Sequence, residues 1–199
     1  MASRLRGEAQ VLRTPEDAPP GDVIALAQGD YGRLLAVLYE EGHFAAEISI
    51  TLAGREAANL TPLDRGAAAR PVRVMVRAGP VFRLGRARVA PLPQGAQLPE
   101  GFRPGAPAGT EVIVEAGRAG VDAWRSASHA KARITREDIT ARHAASELNV
   151  DLRIDPGPAL RFGALEVPTS SGVRASRLRA IAGLPSGAPF DPEAVEIAR

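Results

Sequence analysis

The chain has 199 residues, 45% of them apolar and 24% charged, a size and balance that suit one or two ordinary globular domains. Its 25 basic and 23 acidic residues leave a net charge of +2, too weak a positive field to point to a nucleic-acid partner, and the lack of cysteine excludes disulfides and thiolate metal sites. Aromatics make up only 4% against 20 glycines and 17 prolines, so the cores must be built from Val, Leu, Ile and Ala between frequent turns.

Residues 3–13 place Leu5, Ala9 and Leu12 at helical spacing before Thr14-Pro15 and Pro19-Pro20-Gly21 break the pattern. A longer helix follows, with Asp22 as its cap, Val23, Ala27, Tyr31, Leu34, Leu35 and Leu38 on one face, and Gly42 as its terminator. The period then changes from 3.6 to 2. Glu47–Leu52 and Val72–Arg77 alternate polar with apolar residues and predict strands, joined by a long polar connection over 54–71. A further strand is predicted over 82–89, then a Pro/Gly-rich helical region to Gly109, then a helix from Thr110 that buries Ile113, Ala116 and Trp124. Strands follow over 132–140 and 149–154. Beyond a strand at 160–167, a short helix is predicted over 174–182, and Asp191-Pro192 opens another.

Two stretches repeat. Gly79-Pro80-Val81-Phe82-Arg83-Leu84-Gly85 and Gly157-Pro158-Ala159-Leu160-Arg161-Phe162-Gly163 share the pattern Gly-Pro-x-x-Arg-x-Gly, and residue 157 follows 79 at the same offset of 78 as 161 follows 83. The repeat divides the chain into modules at 1–79, 80–157 and 158–199, with Gly79, Pro80, Arg83, Gly157, Pro158 and Arg161 at the junctions. Glycine supplies a turn there, proline fixes the exit angle, and the arginines either clamp adjacent modules or meet a partner. The first module has helices and closing strands but no opening strand, and the third has an opening strand but no closing ones, so both ends read as truncated. One side of Val72–Arg77 is therefore expected to lack a strand neighbour, leaving the first module marginal.

The unit order, the module length and the junction motif resemble polypeptide-transport-associated (POTRA) domains of the BamA/TamA outer-membrane assembly family, most nearly its TamA branch. Further matches are Leu38-Tyr39-Glu40-Glu41-Gly42-His43-Phe44, Gly54-Arg55-Glu56-Ala57, Gly105-Ala106-Pro107 and Gly187-Ala188-Pro189-Phe190-Asp191. Ser128-His129-Ala130 departs from the family, which usually shows Gly-Tyr-Pro there. The resemblance implies an α+β fold of tandem modules, each a three-stranded mixed sheet packed by two helices in the order β-α-α-β-β. It implies a non-enzymatic protein-binding role at the periplasmic face of the bacterial outer membrane, with a TamB-like inner-membrane-anchored protein and unfolded outer-membrane clients as partners. It also implies a C-terminal outer-membrane barrel outside these residues. In such folds the strand after the main helix lies at a sheet edge, so Ile48, Ser49 and Ile50, and Arg133, Ile134 and Thr135, are the expected docking strands for β-augmentation. A protein-interaction array of a secretion or adhesion system without a barrel is the alternative.

No catalytic, cofactor or metal residues are expected. His43, His129 and His143 share no ligand spacing, and His43 and His129 occupy equivalent places after the main helices, which suits a repeated packing role. There is no Gly-x-Ser-x-Gly elbow, and the glycine-rich junctions enter strands rather than helices, unlike a phosphate loop. Asp151 and Asp155, four apart on a strand, lie about 13 Å apart and read as a solvated face.

Overall fold

The computed structural model describes residues 1–61, 69–164 and 186–197. It is a mixed α+β structure with two three-stranded sheets, and its contacts group the chain into two compact units. One contains residues 1–84, 105–111 and 141–148, the other 85–104, 112–140 and 149–199. The helix predicted over 174–182 and the end of the strand predicted from 160 lie outside the described residues.

In the first unit, the helix expected over 3–13 is two pieces, α1 (Ala2–Glu8) and a 3-10 turn (Gln10–Arg13). The cause is Asp30, fully buried, whose carboxylate accepts the backbone N–H of Gln10 at 3.0 Å and of Val11 at 2.8 Å, and the Arg33 Nε–H at 2.9 Å. A buried carboxylate is tolerated only when paired and hydrogen-bonded in this way. Helix α2 (Pro20–Glu40) starts before Asp22, with Pro20 at its first position, where the missing N–H costs nothing; Asp22 sits in the first turn and favours the helix dipole instead of capping it. Its apolar stripe of Val23, Ile24, Ala27 and Leu34 packs with Ala9, Val11, Ile50, Leu52, Ala57 and Leu60 into one buried cluster. Each larger side chain so buried contributes about 1.5–3 kcal/mol.

The first sheet contains β1 (Glu47–Leu52), β2 (Arg55–Glu56) and β3 (Val72–Arg77) in the order β2-β1-β3. Strands β1 and β3 are antiparallel from Glu47↔Arg77 to Leu52↔Val72. The expected long connection instead begins with a tight hairpin. Ala53 and Gly54 both take positive φ, 49° and 81°, the backbone that a two-residue turn requires, and β2 returns to pair with Thr51 and Leu52.

The second sheet contains β4 (Arg83–Ala90), β5 (Arg133–Arg142) and β6 (Glu147–Asp155) in the order β4-β6-β5. The Arg86 N–H reaches Asn149 and Arg88 pairs with Asp151, so contacts advance together along β4 and β6, which run parallel. Arg133 pairs with Asp155 and the Thr135 hydroxyl donates to the Arg153 carbonyl, so β5 runs antiparallel to β6 and the sheet is mixed. Helix α3 (Thr110–Ser126) packs closely on it: a Cβ at Gly117 would lie 2.8 Å from Ile134 Cδ1, and one at Gly120 2.7 Å from Ile154 Cδ1. The helical region expected between β4 and α3 is absent, because Pro91, Pro93, Pro99, Pro104 and Pro107 punctuate 91–109 into turns. Trp124 is only half-buried, its indole N–H donating to the Pro91 carbonyl at 2.9 Å. Near the C-terminus, the Asp191 carboxylate caps α4 (Pro192–Ile197) by accepting the Glu193 N–H at 3.0 Å. Among the described residues, no helix is long and apolar enough to cross a membrane.

Candidate functional site

Each unit carries one copy of the repeated junction, and the two copies share the same hydrogen bonds. In the first, α2 ends at Gly42 with φ +85°, its carbonyl accepts the Phe82 N–H at 2.9 Å, and His43 Nδ1 donates to the Gly79 carbonyl at 3.1 Å. A carbonyl can only accept, so this contact fixes the proton on Nδ1. In the second, Ser128 takes φ 72°, its carbonyl accepts the Leu160 N–H at 2.8 Å, and His129 Nδ1 donates to the Gly157 carbonyl at 2.8 Å. The turns that follow also match. The Arg83 guanidinium donates to the Gly105 carbonyl and that of Arg161 to the Gly187 carbonyl, each at 2.7 Å, while short antiparallel bridges join Arg83 to Pro107 and Arg161 to Pro189.

The junction arginines are therefore engaged with a turn of their own unit. Both histidines have the packing role that their equivalent places suggested: His43 is nearly buried, and the His129 ring meets Trp124 at 4.8 Å. Phe82, fully buried, adds edge contacts to Phe44 at 5.8 Å and to His143 at 5.5 Å.

The two strands expected at free edges differ. Strand β1 is central, not at an edge. Strand β2 covers Thr51 and Leu52. The Ile50 N–H donates to the Glu56 carboxylate at 3.1 Å, and the Ile50 carbonyl accepts from the Tyr31 hydroxyl at 3.3 Å. Ile50 itself is fully buried and belongs to the core. Ser49 is also taken, its hydroxyl donating to Glu56 at 2.8 Å, while Ile48 packs half-buried against the same core.

Strand β5, by contrast, has β6 on one side and no strand on the other among the described residues, and residues 135–140 are all exposed. Ile134 points inward over Gly117, and Arg133 and Thr135 point out. The strand carries mixed charge at Arg133, Arg136, Glu137, Asp138 and Arg142, with Arg136 paired to Asp138 at 2.7 Å, and its Ile139 is 47% exposed. Mixed charge of this kind discourages indiscriminate edge pairing.

This fold has a counterpart among solved structures. The crystal structure of POTRA domains 3–5 of Haemophilus influenzae BamA matches with a TM-score of 0.54 at 15% sequence identity, over 86% of this chain and 66% of that one. The fold is POTRA-like. No protein-family model matches the sequence, and no curated protein does.

Within the first POTRA-like unit, Glu56 is the residue that sequence reasoning missed. It accepts from Tyr31, Ser49 and the Ile50 N–H. Burial alone would raise its pKa, but these three donors outweigh it and hold the carboxyl below the ordinary 4.5. Burial, then the bond to Glu56, pushes the Tyr31 phenol above its ordinary 10.0. A glutamate two residues past the two-residue turn Ala53-Gly54, opposite Thr51 across the hairpin, is the local signal that could have identified it. Among the described residues, no three His, Cys, Asp or Glu side chains gather in a group that could hold a metal ion.

Proposed function

We propose that the chain is a set of periplasmic protein-binding modules of an outer-membrane assembly factor, TamA-like within the BamA/TamA family, and that it docks extended segments of a client or partner protein on β5. The observation that carries this reading is the outer side of β5, ten residues long, exposed along most of its length and without a strand partner among the described residues of a POTRA-like unit. Main-chain N–H and C=O groups along such an edge accept an added strand whatever its sequence, which suits varied unfolded clients, while Arg133, Thr135 and Ile139 supply side-chain selection. The modules divide at 1–79, 80–157 and from 158, with Gly79, Pro80 and Arg83, and Gly157, Pro158 and Arg161, as the seams. The partners are a TamB-like inner-membrane-anchored protein and outer-membrane clients, the location is the periplasmic face of the outer membrane, and a C-terminal barrel belongs to the whole protein. The role is not enzymatic.

The test is binding of an extended peptide taken from an outer-membrane barrel strand, followed by fluorescence anisotropy with the wild-type chain and with Arg136→Pro, next to Thr135, whose own contacts face β6. Proline removes one edge N–H and clashes with an incoming strand, so binding should weaken about tenfold. Unchanged affinity, or no saturable binding by the wild type, refutes docking on β5.

A further inference from the structure

Strand β5 carries charge where its counterpart in the first unit is apolar. Counted from His43 and His129, which follow the main helices, Ile134 corresponds to Ile48, and Arg136 and Asp138 stand where the first unit has Ile50 and Leu52. Ile50 and Leu52 are fully buried, packed with Ala9 and Val11 from the segment before α2. The second unit has turns over 91–109 in place of such a segment, and its Arg136 and Asp138 side chains are 69% and 52% exposed.

Lying two residues apart, Arg136 and Asp138 share one face of the strand and pair with each other at 2.7 Å. An ion pair so exposed contributes little to the fold, and exchanging its partner for an equivalent one costs little. Thr135 has its contact on the β6 side, where its hydroxyl donates to the Arg153 carbonyl, so alternation turns the N–H and C=O groups of Ile134, Arg136, Asp138 and Thr140 to the outer edge. Among the described residues no strand meets them there. The order of side chains along this edge is self-complementary. With a second β5 laid antiparallel about a two-fold axis at Glu137, Arg136 meets Asp138 on either side of the axis, Ile134 meets Thr140 and Thr135 meets Ile139. Sliding the second strand by two residues in either direction sets Arg136 against Arg136 or Asp138 against Asp138, and like charges directly opposed are unfavourable.

We propose that β5 pairs with β5 of a second copy of this chain, joining two three-stranded sheets into one continuous sheet about a two-fold axis. Backbone bonds at Ile134, Arg136, Asp138 and Thr140 hold the two edges together, and the reciprocal Arg136–Asp138 pairs fix the register. Glu137 against Glu137 on the axis opposes the association and keeps it weak and reversible. A dimer of this form occupies the edge proposed to take a client strand, so self-pairing and docking exclude each other. The inference rests on the same open edge as that docking, but needs no client to bind.

Sedimentation equilibrium of the whole chain between about 10 µM and 1 mM should show a monomer–dimer equilibrium, with amide exchange at Ile134, Arg136, Asp138 and Thr140 slowing as concentration rises. Arg136→Asp alone and Asp138→Arg alone each oppose like charges and should weaken the dimer about tenfold. Both changes in one chain restore complementarity and should return the affinity to within about twofold of wild type, and mixing the two single variants should give a heterodimer. Glu137→Gln should tighten the dimer about threefold. All of these side chains are exposed, so the variants keep the fold. A chain that stays monomeric, a double variant as weak as the single ones, or protection that maps away from β5 would each overturn the proposal. A monomeric chain that still binds the barrel-strand peptide overturns self-pairing and leaves docking standing, whereas a dimer that no such peptide dissociates or joins overturns docking and leaves self-pairing standing.

Discussion

Among the described residues, the two sheets leave different edges open. In the second, the central strand β6 is flanked on both sides, by β4 and β5, and the outer side of β5 has no strand among the described residues. In the first, the strand that follows the helix is closed by β2, Tyr31 and Glu56, and among the described residues the side without a strand is that of β3. A repeated fold can thus offer different edges from different copies, and a short hairpin with one well-placed carboxylate is enough to change which edge is offered.

The junction copies give the largest expected contrast. Gly42 and Ser128 hold the same left-handed turn, but a Cβ on Gly42 would lie 2.4 Å from the Ala108 carbonyl oxygen. Gly42→Ser should therefore cost about 3 kcal/mol, combining backbone strain with a clash that cannot relax, and the urea midpoint of the first unit should fall accordingly. An unaltered midpoint would mean that the two turns are interchangeable.

Opening the closed edge comes next. Glu56→Ala strands the Ile50 N–H and removes the partners of Tyr31 and Ser49, so it should destabilise the first unit by about 2 kcal/mol and speed amide exchange at Ile50, with β5 unaffected. The same carboxylate gives the first unit an acid dependence. Since the folded pKa of Glu56 lies below its ordinary 4.5, its contribution is present above that value and is lost as pH falls through the lower, folded one. Tyr31 acts in the other direction: its folded pKa is above 10.0, so its contribution holds below that pH and is lost as pH rises through the folded value. Chemical denaturation between pH 3 and 6 should show the acid loss in wild type and a flatter profile in Glu56→Gln.

The smallest effect should be a gain. Ser128 keeps a positive φ of 72° that glycine adopts without strain, so Ser128→Gly should raise stability by about 0.5–1 kcal/mol. A loss on that substitution would show that the serine side chain contributes something its backbone conformation does not.

Local pattern determined much of this protein. Alternation placed β1 and β3 with their observed limits, the apolar stripe and Gly42 bounded the end of α2, and the spacing of the Gly-Pro-x-x-Arg-x-Gly copies located a junction whose hydrogen bonds do recur. Tertiary structure decided which edge is covered. The break at Ala9 depends on Asp30 about twenty residues away, and the closure of β1 depends on Tyr31 reaching across from α2 to Glu56. Those contacts join residues that no periodicity links, and pairing on the free side of a strand is set by whatever the rest of the fold brings beside it.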